Sequence, residues 1–116
     1  MQRPFLRVGT WNVNSIWTAE AELYDTIDKE DLDVIMLQET RTKTFKIRGR
    51  ECVTNSLKAR PKNNRKGGYF SGGVATIALK KAMMKKDAHN TSEFILVSDL
   101  LIEPQPEPIK LVNVYM

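Results

Sequence analysis

Val34-Ile35-Met36-Leu37 sets four large apolar side chains in succession and then breaks off at the polar pair Gln38-Glu39. A strand sends alternate side chains to opposite faces, so a run without polar interruption suits a strand covered on both sides. The residues before it are complementary. In Leu6-Arg7-Val8-Gly9-Thr10-Trp11, Leu6 and Val8 alternate against polar neighbours, which predicts a strand. From Ala19 to about Glu30, Ala19, Leu23 and Ile27 recur every four residues, and Tyr24 widens the stripe. Thr18 stands where an N-cap would, with Glu20 and Glu22 near the positive end of the helix. Strand, helix and buried strand in close succession describe a βαβ unit and therefore an α/β fold.

The chain then changes character. Asn55 to Gly73 holds Pro61, the pair Asn63-Asn64, two Gly-Gly pairs and five basic residues from Lys58 to Lys66, which predicts a loop. Strands are expected at Val74 to Leu79, Phe94 to Ile102 and Ile109 to Tyr115, the last two separated by Pro104, Pro106 and Pro108. The 116 residues form one domain or less, with no internal repeat and no second boundary. The stop at Met116, directly after an apolar strand, is read as a truncation, so that residues 1–116 form one partial domain. A partial domain would leave a sheet face uncovered, which predicts self-association.

Charge is segregated along the chain. Arg41 to Lys86 carries 14 of the 18 basic residues and a single acid, Glu51. Such a stretch is the electrostatic footprint of a polyanion, here read as nucleic acid, with Lys58, Arg60, Lys62, Arg65 and Lys66 as its densest part. The alternative is a solvated loop. No apolar run approaches a membrane span, and the first residues lack the apolar core of a secretory signal. Cys52 is the sole cysteine, which excludes an internal disulfide and suits a reducing compartment, nuclear or cytoplasmic. With no histidine close in sequence to activate it, Cys52 reads as a small apolar side chain rather than a nucleophile.

Polar residues collect just after the strands: Asn12 and Asn14 after the first, Gln38 and Glu39 after the second, Tyr115 after the last. In α/β sheets ligands gather at the carboxyl ends of strands. A carboxylate flanked by carboxamides is a hard oxygen set that suits Mg²⁺ on phosphate oxygens. Taken singly, each of these residues is also an ordinary turn or surface residue.

Four blocks in order, Trp11-Asn12-Val13-Asn14-Ser15-Ile16, Leu37-Gln38-Glu39-Thr40-Arg41, Gly72-Gly73-Val74-Ala75 and Val112-Asn113-Val114-Tyr115, resemble the endonuclease/exonuclease/phosphatase superfamily. The likeness is to the exonuclease III-type apurinic endonucleases and to the endonuclease domains of non-LTR retrotransposons. It covers the N-terminal half of that family's domain, a two-sheet α/β sandwich of the DNase I-like type. The resemblance implies a Mg²⁺-dependent phosphodiesterase acting on DNA, with Mn²⁺ as a substitute metal. Glu39 would be the principal metal carboxylate and Asn14 would lie near the metal. Asn12 would bind the scissile phosphate, Gln38 would brace Glu39, Arg41 would lie along the phosphate backbone, and Tyr115 would donate its hydroxyl to the phosphate.

The chain also departs from the family. Trp17 stands near a position that the family fills with a charged residue, and the later Asp-x-Asn and Asp-His motifs have no counterpart. His89, the only histidine, does not match the Asp-His motif and reads as an exposed turn residue. The expected function is therefore a fragment of a DNA endonuclease, inactive by itself. The long basic Gly-rich segment leans to the retroelement type, and Ser15-Ile16 to the apurinic type. Two alternatives stay open: a non-catalytic relic that at most binds nucleic acid, and an inositol-phosphate phosphatase of the same superfamily.

Overall fold

The computed structural model describes residues 6–42, 47, 53–57, 60–61, 70–79, 83–84, 89–92, 94–101 and 107–115. Chain order is β1 (Val8–Asn12), α1 (Ile16–Glu30), β2 (Val34–Gln38), β3 (Val53–Leu57), β4 (Arg60–Pro61) and β5 (Phe70–Ser71). There follow β6 (Val74–Ala78), β7 (Met83–Met84), β8 (His89–Ser92), β9 (Ile95–Leu101) and β10 (Ile109–Val114). The expected βαβ unit is present. β1 and β2 pair in parallel from Val8↔Val34 to Asn12↔Gln38, with α1 as the crossover.

The first sheet runs β1-β2-β6-β3, with β6 antiparallel to both of its neighbours. The second sheet runs β10-β9-β7, with β8 also paired to β9, and β4 and β5 form a separate ribbon. The reason for the unbroken apolar run is now plain. Ile35 and Leu37 face α1 in one buried cluster with Leu23, Ile27 and Ile77. Val34 faces the other way, in a second cluster with Ala78, Leu100 and Leu111, against which Met36 packs. β2 is thus sandwiched between a helix and a sheet.

Three local expectations are corrected. The helix begins at Ile16, with Ser15 as N-cap, rather than after a Thr18 cap. The Thr18 hydroxyl instead donates back to the Ser15 carbonyl at 3.1 Å. The early start has a tertiary cause: the amides of Ser15 and Ile16 donate to the carbonyls of Glu39 and Thr40, at 2.9 and 3.0 Å. Glu20 and Glu22 consequently lie beyond the first turn, which holds no acid. The stretch from Asn55 to Gly73 is not wholly loop, since Asn55, Ser56 and Leu57 belong to β3 and pair with Thr76, Ala75 and Val74. Pairing with a buried strand outweighs their weak strand propensity. Pro61 and Phe70 also pair, across the short ribbon. His89 lies in β8 opposite Val97 rather than in a turn, because β9 offers it a partner.

Among the described residues no helix is long and apolar enough to cross a membrane. The outer face of the second sheet is apolar and open: Val112 and Val114 are 52% and 43% exposed and lie opposite Val97 and Ile95, beside exposed Phe94.

Candidate active site

The loops after β1 and β2 lie side by side at the carboxyl ends of their parallel strands. Backbone bonds join them: Val13 N to Gln38 O at 3.0 Å, then Ser15 N to Glu39 O at 2.9 Å. The second loop is bonded in turn to the Gly72-Gly73 turn before β6, through Thr40 N to Gly73 O at 3.1 Å and Arg41 N to Gly72 O at 2.9 Å. β10 delivers Tyr115 to the same end.

This junction is built from unusual backbone. Asn14, Ser15, Glu39 and Arg41 all have positive φ, at 49°, 90°, 58° and 56°, and the turn glycines have φ of 78° and 90°. Side chains in the left-handed region cost of order 1–3 kcal/mol each, and they persist where surrounding bonds over-determine them. Here the inter-loop amide bonds do so. Only one other described non-glycine residue has positive φ, Asp31, which closes α1.

Glu39 is the centre of the side-chain geometry, and its carboxylate is 20% exposed. The Tyr115 hydroxyl donates to its Oε1 at 3.2 Å, and the Arg41 guanidinium pairs with the same oxygen at 3.1 Å. Burial first, and then the Glu39 charge, hold the Tyr115 hydroxyl above the ordinary tyrosine range, while Arg41 pulls the other way. Tyr115 therefore stays a protonated donor through the physiological range. Asn12 is exposed, and its Oδ1 accepts from the Asn14 amide at 3.1 Å, an Asx turn that shapes the loop.

Of the residues singled out in the sequence, Gln38, Glu39, Arg41 and Tyr115 are brought together, with Asn12 and Asn14 on the adjoining loop. Arg41 pairs with the Glu39 carboxylate. Lys58, Lys62, Arg65, Lys66 and Cys52 lie outside the described residues, as do the side chains of Arg60 and His89.

The sequence assigns no role to Asn113, although it lies in the last of the four motif blocks. Asn113 is 1% exposed between the two sheets. Its Nδ2 donates to Leu37 O, Ala75 O and Thr76 Oγ1, at 3.2, 2.9 and 3.2 Å. Its Oδ1 accepts from Gln38 Nε2 at 2.8 Å, and that nitrogen also approaches Thr10 Oγ1 at 3.0 Å. Gln38, next to Glu39, thus ties β2 to β10. The available signal was a polar side chain two places before Tyr115 on the strand face that carries apolar Leu111, where a buried amide must find partners.

Among the described residues no three His, Cys, Asp or Glu side chains gather as a metal cage. The donor set nevertheless fits a looser mode. Mg²⁺ is often bound through one or two carboxylates, keeping waters and taking substrate phosphate oxygens for the rest.

No family model and no curated protein matches the chain. Solved structures do. One is a 3′ phosphatase, NExo, from Neisseria, bound to product DNA hairpin, at TM-score 0.63 and 18% identity over 96% of this chain and 41% of that one. An AP endonuclease from Archaeoglobus fulgidus matches at TM-score 0.63 and 19% identity, over 96% of this chain and 41% of that one. A 3′–5′ exonuclease, NExo, from Neisseria meningitidis matches at 0.59 and 19%, over 91% and 40%. The chain spans about two-fifths of the length of these structures. The chain thus has the fold of the N-terminal part of DNase I-like proteins, a fold it shares with an AP endonuclease, a 3′ phosphatase and a 3′–5′ exonuclease.

Proposed function

We propose that this chain carries the metal- and phosphate-binding part of a Mg²⁺-dependent DNA phosphodiesterase. The observation that carries this reading is the Glu39 carboxylate, set at the carboxyl ends of parallel strands and shared between the Tyr115 hydroxyl and the Arg41 guanidinium. Glu39 would hold the ion, with Asn14 near it; Mg²⁺, or Mn²⁺ in its place, supplies charge stabilisation as phosphorus becomes five-coordinate. Tyr115, kept protonated, donates to a phosphate oxygen once the scissile group displaces its bond to Glu39. Arg41, freed from Glu39 by the same event, pairs with a phosphate in the fork geometry that guanidinium favours. Asn12, its Oδ1 used by the loop, keeps its carboxamide N–H groups for the scissile phosphate.

DNA is favoured over a small phosphorylated substrate by the basic stretch from Arg41 to Lys86, and by the neighbour solved with product DNA hairpin. The 116 residues contain neither an Asp-x-Asn nor an Asp-His pair to activate the attacking water. Binding without turnover is therefore the expected behaviour of this chain. Whether the parent activity is directed to abasic sites, to retroelement target DNA or to 3′ ends is a question of substrate: an abasic duplex cut in preference to an intact one supports the apurinic type, and equal cutting the retroelement type.

The test is DNA binding with and without Mg²⁺, for the native chain and Glu39→Ala. Mg²⁺ should tighten binding in the native chain only, and log affinity should fall with log salt by about 0.9 per phosphate neutralised. Plasmid nicking that needs the metal and vanishes in Glu39→Ala would overturn the expectation of inactivity. Absence of binding at low salt would overturn the DNA reading itself.

A further inference from the structure

Trp17 is 64% exposed, more than any other large apolar side chain among the described residues. Tryptophan is among the most buried side chains on average, although single exposed apolar residues are common enough that position must decide their meaning. The position here is specific. Trp17 follows Ile16, whose amide donates to the Thr40 carbonyl at 3.0 Å, and Thr40 follows Glu39. The indole is therefore mounted on the first turn of α1, rooted in the loop junction that holds the carboxylate. Only Ile16 and Thr40, joined by that bond, stand between Trp17 and Glu39.

Packing does not account for the indole. Ile16, Ala19, Leu23 and Ile27 form the buried stripe of α1, at 0%, 6%, 0% and 3% exposure, and Trp17 lies off it. Among the described residues it is not part of an apolar patch: the other exposed large apolar residues are Val8 on β1 and four residues at or beside β9 and β10. Its neighbours Asn14 and Thr18 are polar and exposed. A protein partner would use a contiguous apolar surface ringed by polar groups. A single flat ring among polar groups, one loop away from a candidate phosphate site, fits a different ligand.

We propose that Trp17 is a stacking platform for an unpaired nucleobase, on a DNA strand whose phosphate sits at Glu39. This rests on the DNA reading above. Proteins that hold single strands track the backbone with charge and stack bases on aromatic rings, since every base has a π-face. In an intact duplex those faces are occupied by neighbouring bases. The platform therefore directs the site toward strand ends, extruded bases or single-stranded gaps, and away from continuous duplex.

The experiment is a fluorescence-anisotropy titration of a labelled oligothymidylate, and of the same strand in blunt duplex, against the native chain, Trp17→Ala and Trp17→Phe. Single-strand binding should weaken about 5- to 150-fold in Trp17→Ala and be largely restored by Phe. Duplex binding should move less than about twofold. In a Trp11→Phe chain, where Trp17 is the only indole, saturable quenching should follow the single-strand isotherm. Equal single-strand binding by native and Trp17→Ala chains, or binding without quenching, overturns the platform and leaves the DNA reading standing. No binding of either DNA form by the native chain overturns both.

Discussion

At the scale of single residues, the junction is a competition for one oxygen. Glu39 Oε1 is shared by a phenol and a guanidinium. The tyrosine reports on this directly. Burial and Glu39 raise its pKa, so stability linked to the protonated form is fully present below the unfolded value near 10 and is lost as pH rises through the folded value. Alkaline absorbance titration should show Tyr115 ionising above the ordinary range, and Glu39→Gln should move it down part of the way, leaving the burial contribution in place. A titration unchanged by that substitution would mean the Glu39 contact is not formed in solution. Asn113 is the other residue with a large expected effect. Asn113→Ala removes a side chain bonded to two carbonyls, a hydroxyl and Gln38, and should lower unfolding free energy by about 2–3 kcal/mol, read as a shift in the urea midpoint. The same variant should lower the Tyr115 pKa, because β10 loses its tie to β2 next to Glu39.

At the scale of elements, the order of strands and helix was legible wherever the apolar pattern was strong. Val34 to Leu37 announced a doubly covered strand, and the stripe of Ala19, Leu23 and Ile27 announced which face of α1 is buried. Leu23→Ala should accordingly cost about 2–5 kcal/mol in a denaturant melt, since Leu23 is 0% exposed at the centre of that stripe. A cost below about 1 kcal/mol would show that α1 does not cover the first sheet. Legibility failed where pairing, not pattern, decided. The start of α1 was hidden because its amides are satisfied by carbonyls more than twenty residues away, for which no local capping signal exists. β3 was hidden among turn formers because β6 supplies its partner. The site residues were visible as polar letters after strands, but Asn113 was not, because its role depends on a second sheet that no local window contains.

At the scale of the whole molecule, two sheets meet through a seam that is apolar at one end and hydrogen-bonded at the other. Val34, Ala78, Leu100 and Leu111 fill the apolar end, while Thr10, Gln38, Thr76 and Asn113 occupy the end beside Glu39. The opposite face of the second sheet stays open, and we expect it to drive association. Replacing Val112 and Val114 together by Thr should reduce the sedimentation-derived mass at high concentration without lowering the melting temperature, since both side chains are 52% and 43% exposed. A native chain that sediments as a monomer would remove that expectation. The polar end of the seam has a further consequence, and it concerns time. Gln38 and Asn113 are 75 residues apart in sequence, and so a chain emerging from a ribosome has its loops, its helix and Glu39 in place long before the strand that completes them. Closing so large a loop comes late in folding, after local structure. The carboxylate is therefore made early, and the phenol that disciplines it arrives last.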